Sequence, residues 1–397
     1  MRIITVLGTG KYDPVKYSWL ENICETSLFP VALVEWLKPT DVHVLLTEKA
    51  KENDNWRSLQ DALKEKISLH AVDIPNGATE KELWEIFDSV AKIAAASPND
   101  KFAIDITHGF RSTPILTLLS AAFLRSARGL NLTHIFYGAF EAKDTQTKIV
   151  PVFDLTLFLE LLDWSAAAER FNDTGDSSKI ASLLNESNRQ FYLTRSNNKE
   201  ADRPVYLQKI AKTMENISGA LSLTLPREVL PESKTLIDML NAAKNETRFA
   251  PPFGVVFDNL KKGYQAIAVD MHLAKPKEIL SGEWRLVQWY HQRRQWAPMI
   301  TLAREWIVSA VCVQNGSDPN EFNSRKQAEE HLNKVISNQR KISEKAQRAW
   351  DGVSQFRNQI AHCGMQKQHI SSDSLQKNIE KTMKCLAALA KENGMDA

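Results

Sequence analysis

The sequence predicts a mainly parallel, doubly wound α/β sheet over residues 1–155, followed by an all-α remainder that divides near residue 281. Three observations carry this. Through the first part, β-branched runs alternate with helix-compatible stretches. From Leu155 onward the strand signal fades. From about Gly282, apolar residues recur at helical spacing, with Trp284, Trp289, Trp296 and Trp306 among them.

The elements follow in order. Arg2–Leu7 (RIITVL) reads as a buried strand that Gly8-Thr9-Gly10 ends. Asp41–Thr47 is a second β-branched run, and Asn55–Lys66 is polar and helix-compatible. Ile67–Ile74 is a third strand, stopped by Pro75-Asn76-Gly77. Thr79–Ala96 repeats Leu83, Ile86, Phe87, Val90, Ile93 and Ala94 at helical spacing. Phe102–Ile106 is a fourth strand, followed by a loop and a helix over Pro114–Ala127. Leu132–Ala139 and Thr147–Phe153 flank the polar turn Lys143-Asp144-Thr145-Gln146 and predict a closing hairpin. Leu155–Arg170 is amphipathic, and Pro-containing breaks fall at Leu225–Ser233 and Ala250–Gly254. Residues 156–281 read as a helical connector and 282–397 as a helical domain. The four tryptophans read first as core packing, with an RNA-stacking platform as the rival.

The bulk numbers exclude little but guide the rest. The 397 residues suit two or three domains, and 43% hydrophobic with 25% charged residues is ordinary for a soluble globular chain. A net charge of +2 supplies no global basic field, so any nucleic acid has to meet a local patch. Cys24, Cys312, Cys363 and Cys385 form no CxxC, which argues against zinc or a disulfide framework and for reduced thiols. The apolar run before Gly8 is too short for a signal peptide, and no stretch offers roughly 18 or more uninterrupted apolar residues. The expectation is a cytoplasmic protein with no membrane partner and no cofactor or metal.

The first motif follows the fourth strand: Asp105-Ile-Thr107-His108-Gly109-Phe110-Arg111-Ser112-Thr113-Pro114. Pro114 suits a first helical position, with Ser112 or Thr113 as cap. The loop then hands its backbone N–H groups to a helix N-terminus, a natural phosphate site. Gly109 permits close approach, Thr107 and His108 can donate hydrogen bonds, and Arg111 can pair with phosphate. Gly8-Thr9-Gly10-Lys11 is a second glycine-flanked loop at the same sheet edge, where open α/β sheets bind ligands. It is neither GxGxxG, since Asp13 stands at the third glycine position, nor a Walker A loop. The two loops point to an anionic, nucleotide-like ligand without metal; the alternative is that Asp105 and His108 only satisfy the loop.

Asp105-Ile-Thr107-His108-Gly109 resembles the DxTHG motif of CRISPR-associated Rossmann-fold (CARF) proteins, over roughly the first 155 residues. The resemblance implies a Rossmann-like sensing domain that dimerises and binds a cyclic oligoadenylate, with the tetra-adenylate favoured. It places Gly8, Thr9, Gly10, Lys11, Thr107, His108, Gly109 and Arg111 around the ligand; Asp105 and Phe110 of the same segment complete the candidate set.

The second motif is Arg357-Asn358-Gln-Ile-Ala-His362, closed by Gly364. Arg357 and His362 stand about 140° apart on an ideal helix, so one helix alone does not aim both at one spot. Two such helices across a dimer axis bring both pairs into a shared cleft. There His362 serves as general acid or base, Arg357 stabilises a developing phosphorane, and Asn358 orients a phosphate or the histidine. Attack by a 2′-OH leaves a 2′,3′-cyclic phosphate. The alternative is a surface arginine and a histidine that complements the helix C-terminus. RNQIAH resembles the RNxxxH signature of HEPN ribonucleases, and Arg304-Glu305-Trp306 also looks like that class. The resemblance implies a metal-independent endoribonuclease acting on single-stranded RNA, its site composed by two protomers, in type III CRISPR defence.

His291-Gln292-Arg293-Arg294 and Lys261-Lys262 are weaker candidates for RNA contact, and Glu329-Glu330 reads as surface charge. No HExxH or GxSxG is present. Two rivals stand beside the nuclease: a sensor whose helical domain only regulates a partner, and a ring nuclease that degrades its own activator at Thr107 and His108.

Overall fold

The computed structural model describes residues 1–95, 100–109, 112–194, 203–333, 343–361, 365 and 371–395. The chain forms two compact units, Met1–Leu162 and Asp163–Ala397.

The first unit holds an eight-stranded sheet. In chain order its elements are β1 (Arg2–Leu7), β2 (Val15–Trp19), β3 (Asn22–Thr26), α1 (Phe29–Leu37), β4 (Asp41–Leu46), α2 (Glu48–Glu52) and α3 (Asp54–Leu63). There follow β5 (Ser68–Asp73), α4 (Glu80–Ala95), β6 (Lys101–His108), α5 (Ser112–Arg128), β7 (Asn131–Gly138) and β8 (Ile149–Asp154). The strand order is β3-β2-β8-β7-β6-β1-β4-β5. β5, β4, β1, β6 and β7 run parallel, and β8 returns antiparallel to β7 as the expected hairpin.

The central strands are buried on both faces, which is why they read as continuous apolar runs. Alternate residues serve opposite cores: Ile3, Val42, Val44 and Ala103 face one, Ile4, Leu45, Phe102 and Ile104 the other. The first core packs under α1 and α3, the second under α4 and α5. Between Thr5 and Leu7 the β1–β6 register shifts, so that Leu7 pairs with His108. One extra residue on β6 re-aims the end of that strand, as bulges do beside functional loops.

Sequence reading missed β2, β3 and α1. β2 does alternate, with Val15 and Tyr17 buried and Lys16 exposed, but it is short, and its turn to β3 puts Leu20 at φ 54°, where glycine is the usual signal.

In the second unit, and leading into it, the helices are α6 (Leu157–Thr174), α7 (Ser178–Thr194), α8 (Leu207–Ser222), α9 (Pro226–Ala242) and α10 (Pro251–Gln265). They continue as α11 (Pro276–Gln292), α12 (Trp296–Gln314), α13 (Phe322–Asn333), α14 (Glu344–Ala361) and α15 (Ser372–Glu392). The expected breaks are helix starts: Pro226 and Pro251 occupy opening positions, where a missing N–H costs nothing, and α9 runs on through Pro231. The buried apolar residues of this unit form one cluster from Trp164 to Met395, spanning both stretches that the sequence separates at residue 281.

Trp284, Trp289 and Trp306 are buried, and the Trp284 and Trp306 rings lie 5.0 Å apart. The Trp306 indole N–H donates to the Leu280 carbonyl at 3.0 Å, so the aromatic group packs the core rather than presenting a stacking platform. α12 is long and apolar enough by composition to cross a membrane, yet 61% of it is buried within the protein, as for a central core helix.

Candidate functional site

Gly8, Thr9, Gly10, Lys49, His108 and Gly109 line a cavity of about 580 Å³ at the carboxyl ends of β1, β4 and β6. A second cavity of about 240 Å³ shares Tyr12 and His108 with the first and adds Lys11, Thr107, Tyr137 and Glu141. The two sequence-predicted loops thus meet at one sheet edge. Phe110 and Arg111 lie outside the described residues.

Asp105 lines neither cavity; it is fully buried. Its carboxylate accepts the Thr5 hydroxyl at 2.7 Å and the Thr107 amide at 2.8 Å. Burial pushes its pKa up to about 6, against the pull of its bonds to Thr107 and Thr5. The Thr107 side chain also bonds Asp105, and its oxygen accepts the Gly138 amide at 2.9 Å, tying β6 to β7.

His108 Nε2 accepts the Phe29 amide at 3.0 Å, one of the donors that the start of α1 leaves without an intrahelical partner. That bond makes Nδ1 the protonated nitrogen of a neutral ring. Burial lowers the His108 pKa to about 4, and the ring rests 4.1 Å from that of Tyr12. The expectation that Thr107 donates to a ligand is therefore corrected, since its hydroxyl is committed within the fold; His108 has Nε2 occupied and keeps Nδ1–H as its donor.

The glycines are steric requirements. A Cβ on Gly8 would stand 2.8 Å from the His108 carbonyl oxygen, and one on Gly109 would stand 2.4 Å from Pro114 Cγ. Asn55 Nδ2 donates to the carbonyls of Gly8 at 3.1 Å and Gly10 at 2.8 Å, fixing the first loop. Pro114 is the third residue of α5 rather than the first, and the opening turn of that helix follows directly on the second loop.

In the second unit, Arg357 and Asn358 occupy the last turn of α14, both exposed, with Arg357 Nη1 donating to Asn358 Oδ1 at 3.4 Å. His362, Cys363 and Gly364 lie outside the described residues. Phe356 buries the opposite face of the helix at 3% exposure. On α12, Arg304 pairs with Glu305 at 2.5 Å and Glu329 at 2.9 Å, and Glu305 with Arg325 at 2.6 Å. This network anchors α13 to α12, so Glu329 is not the plain surface charge that was expected. In the basic stretch, Arg293 lies over the Trp289 ring at 3.9 Å and His291 stands 3.1 Å from Glu380, so both are engaged within the protein.

Residues 2–141 match the family model of the CARF domain of the CRISPR system endoribonuclease Csx1. The first unit is thus similar to a CARF domain over most of its length. Residues 160–267 match the second domain of the CRISPR-associated protein MJ1674. The MJ1674 protein of Methanocaldococcus jannaschii is 28% identical over 181 residues, which span 45% of this chain and 25% of that protein. Among solved structures, Enterococcus italicus Csm6 bound to cyclic hexa-2′-fluoro-hexa-dAMP is 10% identical, with a TM-score of 0.45 over 99% of this chain and 93% of Csm6.

Within the first unit, sequence reading missed Tyr12, Lys49, Asn55 and Asn76. Tyr12 and Asn76 sit in loops already marked by glycine and proline, so proximity was the available signal. Asn55 and Lys49 enter from helices after β4, and only the strand order brings those helices to the site.

Proposed function

We propose that this chain is a CRISPR CARF sensor whose second unit is a metal-independent, single-stranded RNA endoribonuclease switched on by a cyclic oligoadenylate. The observation that carries the reading is the cavity where the loops at Gly8–Lys11 and Asp105–Gly109 meet in a CARF domain. Its glycine backbones and Lys49, with Lys11 in the adjoining cavity, suit phosphates, and its size suits part of a cyclic nucleotide rather than the whole ring. A ring shared by two protomers resolves that mismatch. The apolar stripe Ile115, Leu119 and Phe123 on α5, each more than half exposed, supports such a homodimer. The tetra-adenylate is the favoured ring.

For the chemistry, Arg357, Asn358 and His362 are the assigned catalytic residues: His362 moves the proton, Arg357 neutralises the phosphorane, and Asn358 orients one or the other. The exposure of Arg357 and Asn358 supports this role. Ligand binding raises the rate by favouring the arrangement in which two such sets meet. The ring-nuclease reading is weaker here, because the Thr107 hydroxyl and His108 Nε2 are both held within the fold. The reading of a purely regulatory sensor is separated by experiment.

The test is cleavage of a fluorescent single-stranded RNA in EDTA, with and without cyclic tetra- and hexa-adenylate, by the wild type and His362→Ala. Activator-dependent cleavage that leaves a 2′,3′-cyclic phosphate and is lost in the variant is expected. Ring binding without any cleavage overturns the nuclease and leaves the regulatory sensor.

A further inference from the structure

A second constellation lies toward the amino-terminal end of β4, at the opposite end of that strand from the candidate nucleotide cavity. β4 and β5 pair in parallel with Asp41 opposite Ser68 and His43 opposite His70. Because side chains alternate along a strand, Asp41, His43 and His70 project from one face of the sheet. Each offers one donor atom, and the three atoms lie within 4.8 Å of one another.

The inner pair is unusual. Asp41 Oδ1 and His43 Nε2 are 2.9 Å apart and both shut off from solvent; they face one another, and neither meets a further hydrogen-bond partner among the described residues. With the His43 proton on Nδ1, two acceptors face one another, and a cation bound by both would relieve that repulsion. The other carboxylate oxygen, Oδ2, already meets Thr40 Oγ1 at 3.3 Å and Arg2 Nε at 3.5 Å. The Arg2 charge is drawn more closely to Asp100, at 2.8 Å, so it does not cancel Asp41. His70, stacked 4.8 Å from His43, is exposed, and its Nε2 meets Ser68 Oγ at 3.3 Å.

We propose that Asp41, His43 and His70 bind a divalent transition metal of the zinc class, with at least one coordination position open to solvent. Two imidazoles and one carboxylate are a donor set such ions favour over magnesium or calcium. Zinc-to-donor distances of about 2.0–2.2 Å require the exposed His70 ring to swing inward, and Asp41 and His43, 2.9 Å apart, to part by a few tenths of an ångström. The ion would satisfy both buried atoms and staple β5, the edge strand, to β4. A search for cysteine pairs or HExxH does not find the site, because its ligands come from two strands and meet only through their register.

The experiment is a titration of the full-length, EDTA-stripped protein with Co²⁺, followed by its visible d–d absorption and by displacement with Zn²⁺. The wild type is expected to give a saturable band, and His70→Ala to lose it with an unchanged far-ultraviolet circular dichroism spectrum. In parallel, Co²⁺ should selectively broaden the His43 and His70 imidazole resonances of the wild type, a reading that needs no variant. No saturable band in the wild type, an equal band in His70→Ala, or broadening confined to other residues overturns the site. RNA cleavage in EDTA is scored separately, so failure of either idea leaves the other standing.

Discussion

His108→Gln tests whether the histidine of the first loop is a buried neutral acceptor. Glutamine keeps an oxygen able to accept the Phe29 amide but cannot titrate. Folding lowers the His108 pKa from 6.5 to about 4, so between those values the unfolded chain binds the proton that the folded chain refuses. The stability contributed by neutral His108 is therefore present above the unfolded pKa and lost as pH falls. Between about pH 7.5 and pH 5 this loss amounts to about 2 kcal/mol. Asp105 works the other way: folding raises its pKa from 3.8 to about 6, so acidification over the same range returns about 1.4 kcal/mol. The two nearly offset one another in the wild type, and His108→Gln unmasks Asp105. The variant should gain about 2 kcal/mol relative to the wild type on going from about pH 7.5 to pH 5. Urea titrations of the full chain at the two pH values, read by a hydrogen-exchange pulse of fixed pH on β6 peptides, measure this. Parallel pH dependence in the two proteins would refute the assignment.

Three further outcomes follow from the same geometry. Asn55→Ala frees the Gly8 and Gly10 carbonyls and should weaken cyclic tetra-adenylate binding about tenfold without changing RNA turnover at saturating activator, as measured by calorimetry and the cleavage assay. Gly8→Ala drives a Cβ against the His108 carbonyl oxygen; a destabilisation of about 1–3 kcal/mol with loss of ring binding is expected in denaturation and binding experiments. Glu283, 9% exposed beside a cavity that Arg227 and Arg325 also line, has its pKa raised from 4.5 to about 7 by burial. Its ionisation therefore costs stability as pH rises through that range. Glu283→Gln should stabilise by about 3 kcal/mol near pH 8 and by nothing near pH 4, and equal effects at both would reject the buried-acid reading.

The parts of this protein legible in its sequence are those whose signal is local. β1, β4 and β6 are buried on both faces and so read as unbroken apolar runs, and α4 shows its period because one stripe alone enters the core. β2 and β3 failed because a five-residue strand carries little pattern and because Leu20, at positive φ, holds a turn usually marked by glycine. The prolines at 226 and 251 were read as interruptions although a proline is equally a helix opener; only the buried faces of α9 and α10 decide between the two. The meeting of the two glycine loops was legible because both follow strands of one parallel sheet and so lie at its carboxyl edge, where the structure sets β1 beside β6.

The roles within the DxTHG segment were not legible, and the structure reassigns them in a way that bears on mechanism. Asp105 binds β1 through Thr5, Thr107 binds β7 through Gly138, and His108 binds the start of α1 through Phe29. Each polar side chain of the motif is thus spent on a different neighbouring element. Their common effect is to hold the end of β6 and the backbone of Gly109 at the cavity. In the function proposed above, such a site would grip an anion through loop amides and the lysines at 11 and 49, while the motif side chains keep those amides in place. It follows that isosteric changes at Asp105 or Thr107 should reach the ligand only through movement of these elements, whereas changes at Lys11 or Lys49 should act on affinity with the fold intact.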